Sequence, residues 1–138
     1  MIDSQRKALI AAQAALEKHA EGVVVLDLRA LSSVTDFFVI CTAGSAPQVT
    51  AIRDHVEHLL AQRGASVFHV EGVGGAPRAA VSELRWTLMD CGDVVVHVMD
   101  ERARDLYRLE DLWADAPRVP VAETPLLPRS GRDLPSPP

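Results

Sequence analysis

The first apolar pattern predicts a helix near the N-terminus. Four apolar residues recur there at helical spacing: Leu9, Ala12, Leu16 and Ala20. Asp3 or Ser4 stands where an N-cap residue is expected. The segment is rich in alanine, which has the highest helix propensity. We predict a helix that runs to about Ala20 and that Gly22 terminates.

Two strands and a second helix are predicted next. Residues 23–28 are a β-branched run, and residues 37–42 are apolar at nearly every position, which is typical of a central strand buried on both faces. Ser45 followed by Gln48 fits a capping box, with a proline in the first turn, and Gly64 ends the helix. The apolar stripe of this helix is Val49, Ile52, Val56, Leu59 and Leu60.

The middle of the chain combines a third strand with a loop. Residues 66–70 predict a strand, and the order strand, helix, strand predicts a right-handed crossover that joins a parallel pair. Residues 71–83 are rich in glycine and alanine and predict a loop. A helical turn or two is predicted at residues 78–85.

The stretch from Trp86 to Trp113 predicts strand, turn, strand and helix. Residues 86–90 and 94–99 are the strands, and the short glycine-containing connector at 91–93 predicts a hairpin. Asp100 is positioned to cap a helix over residues 101–113.

These elements predict one α/β domain, residues 1–116, built on a mixed five-stranded sheet with flanking helices. Seven of the nine prolines lie in the last 22 residues. Such a density prevents regular structure, so we predict a disordered or extended tail over residues 117–138.

Charge and aromatic residues concentrate in the same part of the chain. The net charge is −5, and residues 90–115 hold eight acidic and three basic residues, which accounts for the whole excess. Both tryptophans and the single tyrosine lie within residues 86–113. An aromatic and acidic surface suits a basic partner. The alternative interpretation is a set of core rings beside an ordinary solvated helix face, which composition alone favours.

Composition also excludes several classes of protein. A net charge of −5 argues against nucleic-acid binding through phosphate neutralisation. The sequence has no apolar run of the length that spans a membrane, and its N-terminus has no signal-peptide pattern. Cys41 and Cys91 lie in or beside apolar runs and are expected to be buried thiols in a reducing cytoplasm.

Candidate chemistry is sparse. The glycines of residues 72–75 do not match the dinucleotide fingerprint. Gly44 and Ser45 stand where a nucleotidyltransferase site would begin, but no Asp-x-Asp pair follows on a strand. His55 and His58 share a helix face without a third metal ligand, and we expect them to face solvent. His97 lies within an apolar strand and is expected to be a hydrogen-bonded structural residue. No catalytic set, metal site or cofactor site is predicted, which favours a binding module.

The stretch 86–113 resembles the ribosomal silencing factor family, also called the RsfS or iojap/YbeB family. The likeness covers roughly residues 3–119. The matching residues in the C-terminal half are Trp86, Asp90, the run GDVVVHV at 92–98, Arg104, Leu106, Tyr107, Leu109, Glu110, Leu112 and Trp113. Upstream matches are Leu26, Asp27, Ser32, Ser33, the run TDFFVICT at 35–42, Gly44, Ser45, Gln48, Val49, Glu71 and Gly72.

The resemblance implies a function and a set of contacts. Its members have a fold related to a reduced nucleotidyltransferase without the catalytic carboxylates, and they form homodimers. They bind ribosomal protein fourteen (the uL14 family) of the large subunit, block joining of the small subunit and repress translation in starvation or stationary phase. The implied partner-binding residues in this sequence are Trp86, Asp90, Cys91, Asp93, Arg104, Tyr107, Glu110 and Trp113.

We therefore expect a cytoplasmic, non-enzymatic translational repressor that uses no cofactor. Two alternatives stay open from the sequence. One is a factor that binds immature large subunits during their assembly, and the other is a small nucleotidyltransferase.

Overall fold

A mixed sheet with helices on both of its sides forms the frame of the protein. The computed structural model describes residues 2–73 and 86–121. The elements in chain order are α1 (Ser4–Glu17), β1 (Glu21–Asp27), β2 (Phe37–Thr42), α2 (Ala46–Gln62), β3 (His69–Val73), β4 (Trp86–Asp90), β5 (Val94–Met99), α3 (Glu101–Tyr107), α4 (Leu109–Leu112) and β6 (Arg118–Val119).

The strands lie side by side in the order β3-β4-β5-β2-β1-β6. Among the neighbouring strands of the described residues, only β2 and β5 pair in parallel, and they occupy the centre, as predicted for residues 37–42. The prediction of an adjacent parallel pair on either side of α2 is wrong, because β3 pairs with β4 at the edge of the sheet. The apolar β5 is buried on nearly its whole length and takes the central place, whereas β3 carries exposed His69 and Glu71.

Within the part of the chain that the structure describes, the sheet has six strands where five were predicted. The additional strand, β6, pairs Val119 with Val25 and Arg118 with Leu26 of β1. The prediction of a tail without regular structure is therefore wrong for these two residues. A two-residue edge strand tolerates the flanking Pro117 and Pro120, because prolines are accepted at sheet edges.

The first helix begins as predicted and ends earlier. Asp3 accepts a hydrogen bond from the Arg6 amide. The helix ends at Glu17, because His19 adopts a left-handed conformation (φ 66°) and the Ala20 amide bonds back to the Ala15 carbonyl. Gly22 is not the terminator; it lies in β1.

The second helix matches its prediction closely. Ser45 Oγ accepts the Gln48 amide hydrogen, and Gly64 (φ 78°) forms the left-handed end. Gln48 Oε1 accepts from the Gly44 amide, one residue before the position that a capping box would use. Ile52, Val56 and Leu60 of the predicted stripe are fully buried, and Val49 and Leu59 pack at its margin.

Two hydrophobic clusters lie on the two faces of the sheet. The larger one lies under α1 and α2 and includes Phe37, Val39, Met89 and the alanines of α1. The smaller one lies under α3 and α4 and includes Leu26, Ile40 and Met99, with Phe38, Trp86 and Trp113 packed against it. The second face is covered by two short helices, and the side chains discussed below lie there.

The hairpin between β4 and β5 is confirmed, with Gly92 at φ 90° in its turn. The single helix predicted over residues 101–113 is instead two helices, because Arg108 between them is left-handed (φ 48°). The third strand, predicted over residues 66–70, runs from His69 to Val73, so the loop predicted over residues 71–83 is wrong for residues 71–73. The rest of that loop, the helical turns predicted at residues 78–85 and the tail from residue 122 lie outside the described residues.

Candidate docking surface

The break between α3 and α4 forms a corner that projects apolar side chains outward. Asp100 caps α3 by accepting the Ala103 amide hydrogen, as predicted, and α3 ends where the Arg108 amide bonds to the Arg104 carbonyl. Leu106, Tyr107 and Leu112 are 66%, 41% and 72% exposed. Exposed apolar side chains that are grouped in one part of the fold, and not scattered singly, suggest a contact surface.

Behind this corner, aromatic rings from four elements pack together. The Trp86 ring of β4 lies 4.7 Å from the Tyr107 ring of α3 and 5.8 Å from the His97 ring of β5, centroid to centroid. Phe38 of β2 meets His97 edge-on at 4.4 Å and Trp113 at 6.0 Å. We call Phe38, Trp86, His97, Tyr107 and Trp113 the ring cluster.

The ring cluster extends from the interior to solvent. His97 is 3% exposed, Trp86, Phe38 and Trp113 are half-buried, and Tyr107 is exposed. The docking surface is accordingly defined as the outer face of this cluster, Trp86 and Tyr107, together with Leu106 and Leu112. Aromatic residues anchored on a rigid support are the usual energetic centres of protein interfaces.

Arg104 and Glu110 clamp the corner together. Arg104 Nε and Nη2 donate to the two carboxylate oxygens of Glu110 at 3.1 and 2.8 Å, and its Nη1 donates to Thr42 Oγ1 at 2.9 Å. The hydrogen bonds from Arg104 hold the pKa of the Glu110 carboxyl below its usual value. These two predicted partner-binding residues thus direct their charged atoms at each other and hold α4 against α3 and β2.

The hairpin carries the other predicted contacts and is fastened to α1. Lys7 Nζ donates to Asp93 Oδ1 at 2.7 Å and to the Cys91 carbonyl at 3.0 Å. Asp90 Oδ1 accepts the Gly92 amide hydrogen within the turn. The two acidic residues stay half-exposed while they serve the hairpin's own structure.

Cys91 does not belong to the surface. Its side chain is fully buried beneath α1, and burial raises the pKa of the thiol to about 11. The prediction that Cys91 contacts a partner is therefore wrong for its side chain. Side chains alternate between the two faces of a strand, and residue 91 falls on the same face as Met89, beneath the first two helices.

The predicted contacts divide into two places. Trp86 begins β4 and Asp90 ends it, so the hairpin lies roughly 13 Å from the tryptophan at about 3.3 Å per residue. Tyr107, Trp113, Arg104 and Glu110 gather at the tryptophan end. In the sequence the predicted contact residues form one continuous stretch. In the structure the extended strand β4 separates the hairpin acids from the tryptophan.

The tryptophan end carries most of the negative charge. Residues 100–115 include six acidic and three basic side chains. Glu101, Asp105 and Asp111 are exposed, and Asp111 forms only a surface ion pair with Arg108, at 3.3 Å. A basic partner that meets this corner would therefore find carboxylates around the exposed rings.

Sequence reasoning missed two parts of the site. Phe38, the inner ring of the cluster, was predicted only as part of a buried strand and not as part of the site. Lys7 holds the hairpin from 86 residues away, a contact that no local pattern encodes. His97 was expected to be structural and hydrogen-bonded, and its Nδ1 does accept the Trp86 indole N–H at 3.1 Å.

The two helical histidines differ: His58 faces solvent as expected, whereas His55 does not. His55 is half-buried and its Nε2 lies 2.7 Å from Glu17 Oε1 of α1, while His58 is exposed and stacks beside it. Within the described residues, no group of three or more potential metal ligands comes together. No helix in the described part of the chain is long and apolar enough to cross a membrane.

These features define a small α/β protein with an apolar, aromatic corner bordered by carboxylates, which is a composition typical of a protein-docking surface. A family model described as "Ribosomal silencing factor during starvation" matches residues 1–135. The chain belongs to this family, the ribosomal silencing factors (RsfS), and the resemblance seen in the sequence is confirmed.

Individual relatives agree with the family model. The ribosomal silencing factor RsfS of Bacillus subtilis is 42% identical over 108 residues, covering 78% of this chain and 85% of the relative. The RsfS of Halalkalibacterium halodurans is 37% identical over 118 residues, covering 86% and 94%. A crystal structure of a Chromobacterium violaceum protein superposes with a TM-score of 0.70 at 29% identity, covering 94% of this chain and all of that one.

Proposed function

We propose that this protein represses translation by docking on ribosomal protein fourteen (the uL14 family) of the large ribosomal subunit. There it blocks joining of the small subunit in starvation or stationary phase. Membership of the silencing-factor family supports a role in translation control. The structural observation that carries the proposal is the Trp86–Tyr107 ring pair at an exposed, acidic corner.

The energetics of the corner suit such a role. Trp86 and Tyr107 would anchor the contact, since large rings remove much apolar area from water at small entropic cost. Trp113 would support them from behind, and Arg104 with Glu110 would hold the corner in shape. The exposed carboxylates would favour a basic ribosomal protein and repel bare RNA phosphates.

Asp90 and Asp93 would make a second, separate contact at the far end of β4. Both are half-exposed, so a partner can reach them despite their bonds within the hairpin. If the partner spans the strand, it covers both places along β4.

The proposed mechanism is steric and needs no turnover or cofactor. A protein that blocks a surface must remain bound while the competing subunit approaches, which requires a slow dissociation rate. We propose that the protein works in the cytoplasm and that it is a homodimer of which one subunit suffices for blocking. Sedimentation velocity of the purified protein tests the dimer.

The decisive experiment is co-sedimentation with purified large subunits. Tyr107→Ala and Trp86→Ala are each expected to cost about 2 kcal/mol of binding free energy, roughly a thirtyfold loss of affinity. The same variants should fail to inhibit subunit joining measured by light scattering. Far-UV circular dichroism and urea unfolding establish that each variant is folded.

His58→Ala is the matched control. His58 is an exposed ring on α2, and α2 covers the opposite face of the sheet from the ring cluster. Its removal should leave binding to large subunits within about twofold of wild type. Wild-type affinity of the Trp86→Ala, Tyr107→Ala double variant would refute the docking surface.

The same preparation distinguishes the alternatives. Accumulation on precursor particles, with no binding to mature subunits, would show that the protein is an assembly factor and not a repressor. We also propose that the fold is a reduced nucleotidyltransferase that lacks activity. Tight binding of nucleoside triphosphate with magnesium in calorimetry would contradict this and favour an enzyme.

A further inference from the structure

The hydrogen bond between Trp86 and His97 defines the protonation state of a buried imidazole. The indole nitrogen can only donate, and its hydrogen points to His97 Nδ1 at 3.1 Å. Nδ1 must therefore be the unprotonated nitrogen, and a neutral ring then carries its hydrogen on Nε2. Burial lowers the pKa of His97 to about 4, so the ring is neutral near pH 7.

The other nitrogen of this ring is left without a partner. His97 Nε2 is buried and has no hydrogen-bond partner among the described residues. A buried donor without an acceptor costs free energy that an aliphatic side chain at this place in β5 would avoid. The histidine is therefore explained by what Nδ1 does for Trp86 and not by packing.

Neighbouring side chains hold the imidazole ring of His97 in one orientation, so that its acceptor nitrogen Nδ1 points in a single direction. Phe38 packs edge-on against it at 4.4 Å with planes 69° apart, and Ile40 and Leu88 are its neighbours on the adjacent strands. The indole that it holds contacts Tyr107, which reaches solvent. An unbroken path of contacts thus runs from the buried strand to the exposed ring.

We propose that His97 is a positioning residue for partner docking: its Nδ1 fixes the indole of Trp86 so that Trp86 and Tyr107 meet the partner already in the bound arrangement. This inference rests on the proposed function, because the benefit appears on docking. A side chain that is ordered beforehand does not lose rotational freedom when it is bound.

Two variants of His97 separate positioning from packing. His97→Asn keeps an oxygen acceptor close to the position of Nδ1, whereas His97→Leu keeps bulk and removes the acceptor. His97→Leu is expected to weaken binding to large subunits about tenfold, and His97→Asn should stay within about threefold of wild type. Equal losses in the two variants, or none in His97→Leu, would overturn the inference.

A double-mutant cycle tests whether His97 acts through Trp86. Trp86→Phe keeps a ring and removes the donor, so adding His97→Leu to Trp86→Phe should change affinity less than twofold. A further tenfold loss in the double variant would show that His97 acts by another route and would refute the positioning role.

Nuclear magnetic resonance of the free protein gives a readout that does not depend on the ribosome. Nitrogen-15 spectra should show His97 as the Nε2–H tautomer, and the Trp86 indole hydrogen should exchange with solvent faster in His97→Leu than in wild type or His97→Asn. A protonated Nδ1, or unchanged exchange in His97→Leu, would overturn the inference. If instead Trp86→Ala binds subunits normally, the proposed docking surface fails, and the spectra still decide whether His97 holds the indole.

Discussion

Replacing Glu110 by glutamine measures how strongly the clamp between α3 and α4 stabilises the fold. Arg104 donates two hydrogen bonds to this carboxylate, and the two side chains are only 15% and 23% exposed. Breaking a fully buried pair costs about 3–5 kcal/mol, and breaking an exposed one costs about 0–1 kcal/mol. Glutamine keeps one acceptor oxygen, so we expect Glu110→Gln to lower the free energy of unfolding by about 2 kcal/mol.

Urea denaturation at pH 7, followed by tryptophan fluorescence, measures this loss. Asp111→Asn is the matched control on the same corner, because Asp111 and Arg108 form an ion pair with side chains 68% and 70% exposed. That variant should change stability by less than about 0.5 kcal/mol. A cycle with Arg104→Met isolates the interaction of Arg104 with Glu110.

Equal destabilisation by Glu110→Gln and Asp111→Asn would refute the stabilising role of the clamp. Such a result would mean that water screens Arg104 and Glu110 as thoroughly as a surface pair. The corner would then be held mainly by other contacts, among them the apolar packing of Leu109 and Ala103.

Three further outcomes are expected. The pKa of Glu110 is lower in the folded protein than in the unfolded chain, where it is near 4.5. The stabilisation of the fold by the ionised carboxylate is therefore fully present above pH 4.5 and is lost as the pH falls through the lower folded pKa. The free energy of unfolding should decline less from pH 7 to pH 3 in Glu110→Gln than in wild type. Gly22→Ala should lower the free energy of unfolding by about 1–2 kcal/mol in a urea melt, because Gly22 has φ 57°, a left-handed conformation that strains any residue with a Cβ; no loss would contradict this backbone conformation. Cys41 and Cys91 are buried and their pKa values are raised to about 12 and about 11, so native-state alkylation at pH 8 should be at least about a hundredfold slower than in urea, and rapid native labelling would contradict their burial.

The sequence by itself determined most of the local structure. Caps at Asp3, Ser45 and Asp100 and the turn at Gly92 were predictable, because each depends on residues no more than a few positions away. The apolar run at residues 37–42 also identified the central strand, since burial on both faces demands apolar side chains throughout. The family resemblance came from the same printed residues.

The ends of two helices were less predictable. His19 and Arg108 adopt left-handed conformations without being glycine, and both end a helix that the pattern continued. The energy of such a conformation is offset by contacts elsewhere, and Arg108 stands beside the clamp of Arg104 and Glu110. Local propensity carries no information on those contacts.

Only the tertiary structure decided how the site is assembled. The strand order inserted β4 and β5 between β2 and β3, which placed Trp86 beside Tyr107 and left the hairpin acids at the other end of the strand. Pairings across 86 residues, such as Lys7 with Asp93, depend on which faces become buried together. Burial of apolar area has no preferred partner along the chain, so sequence patterns predict which residues must be covered, and only packing determines what covers them.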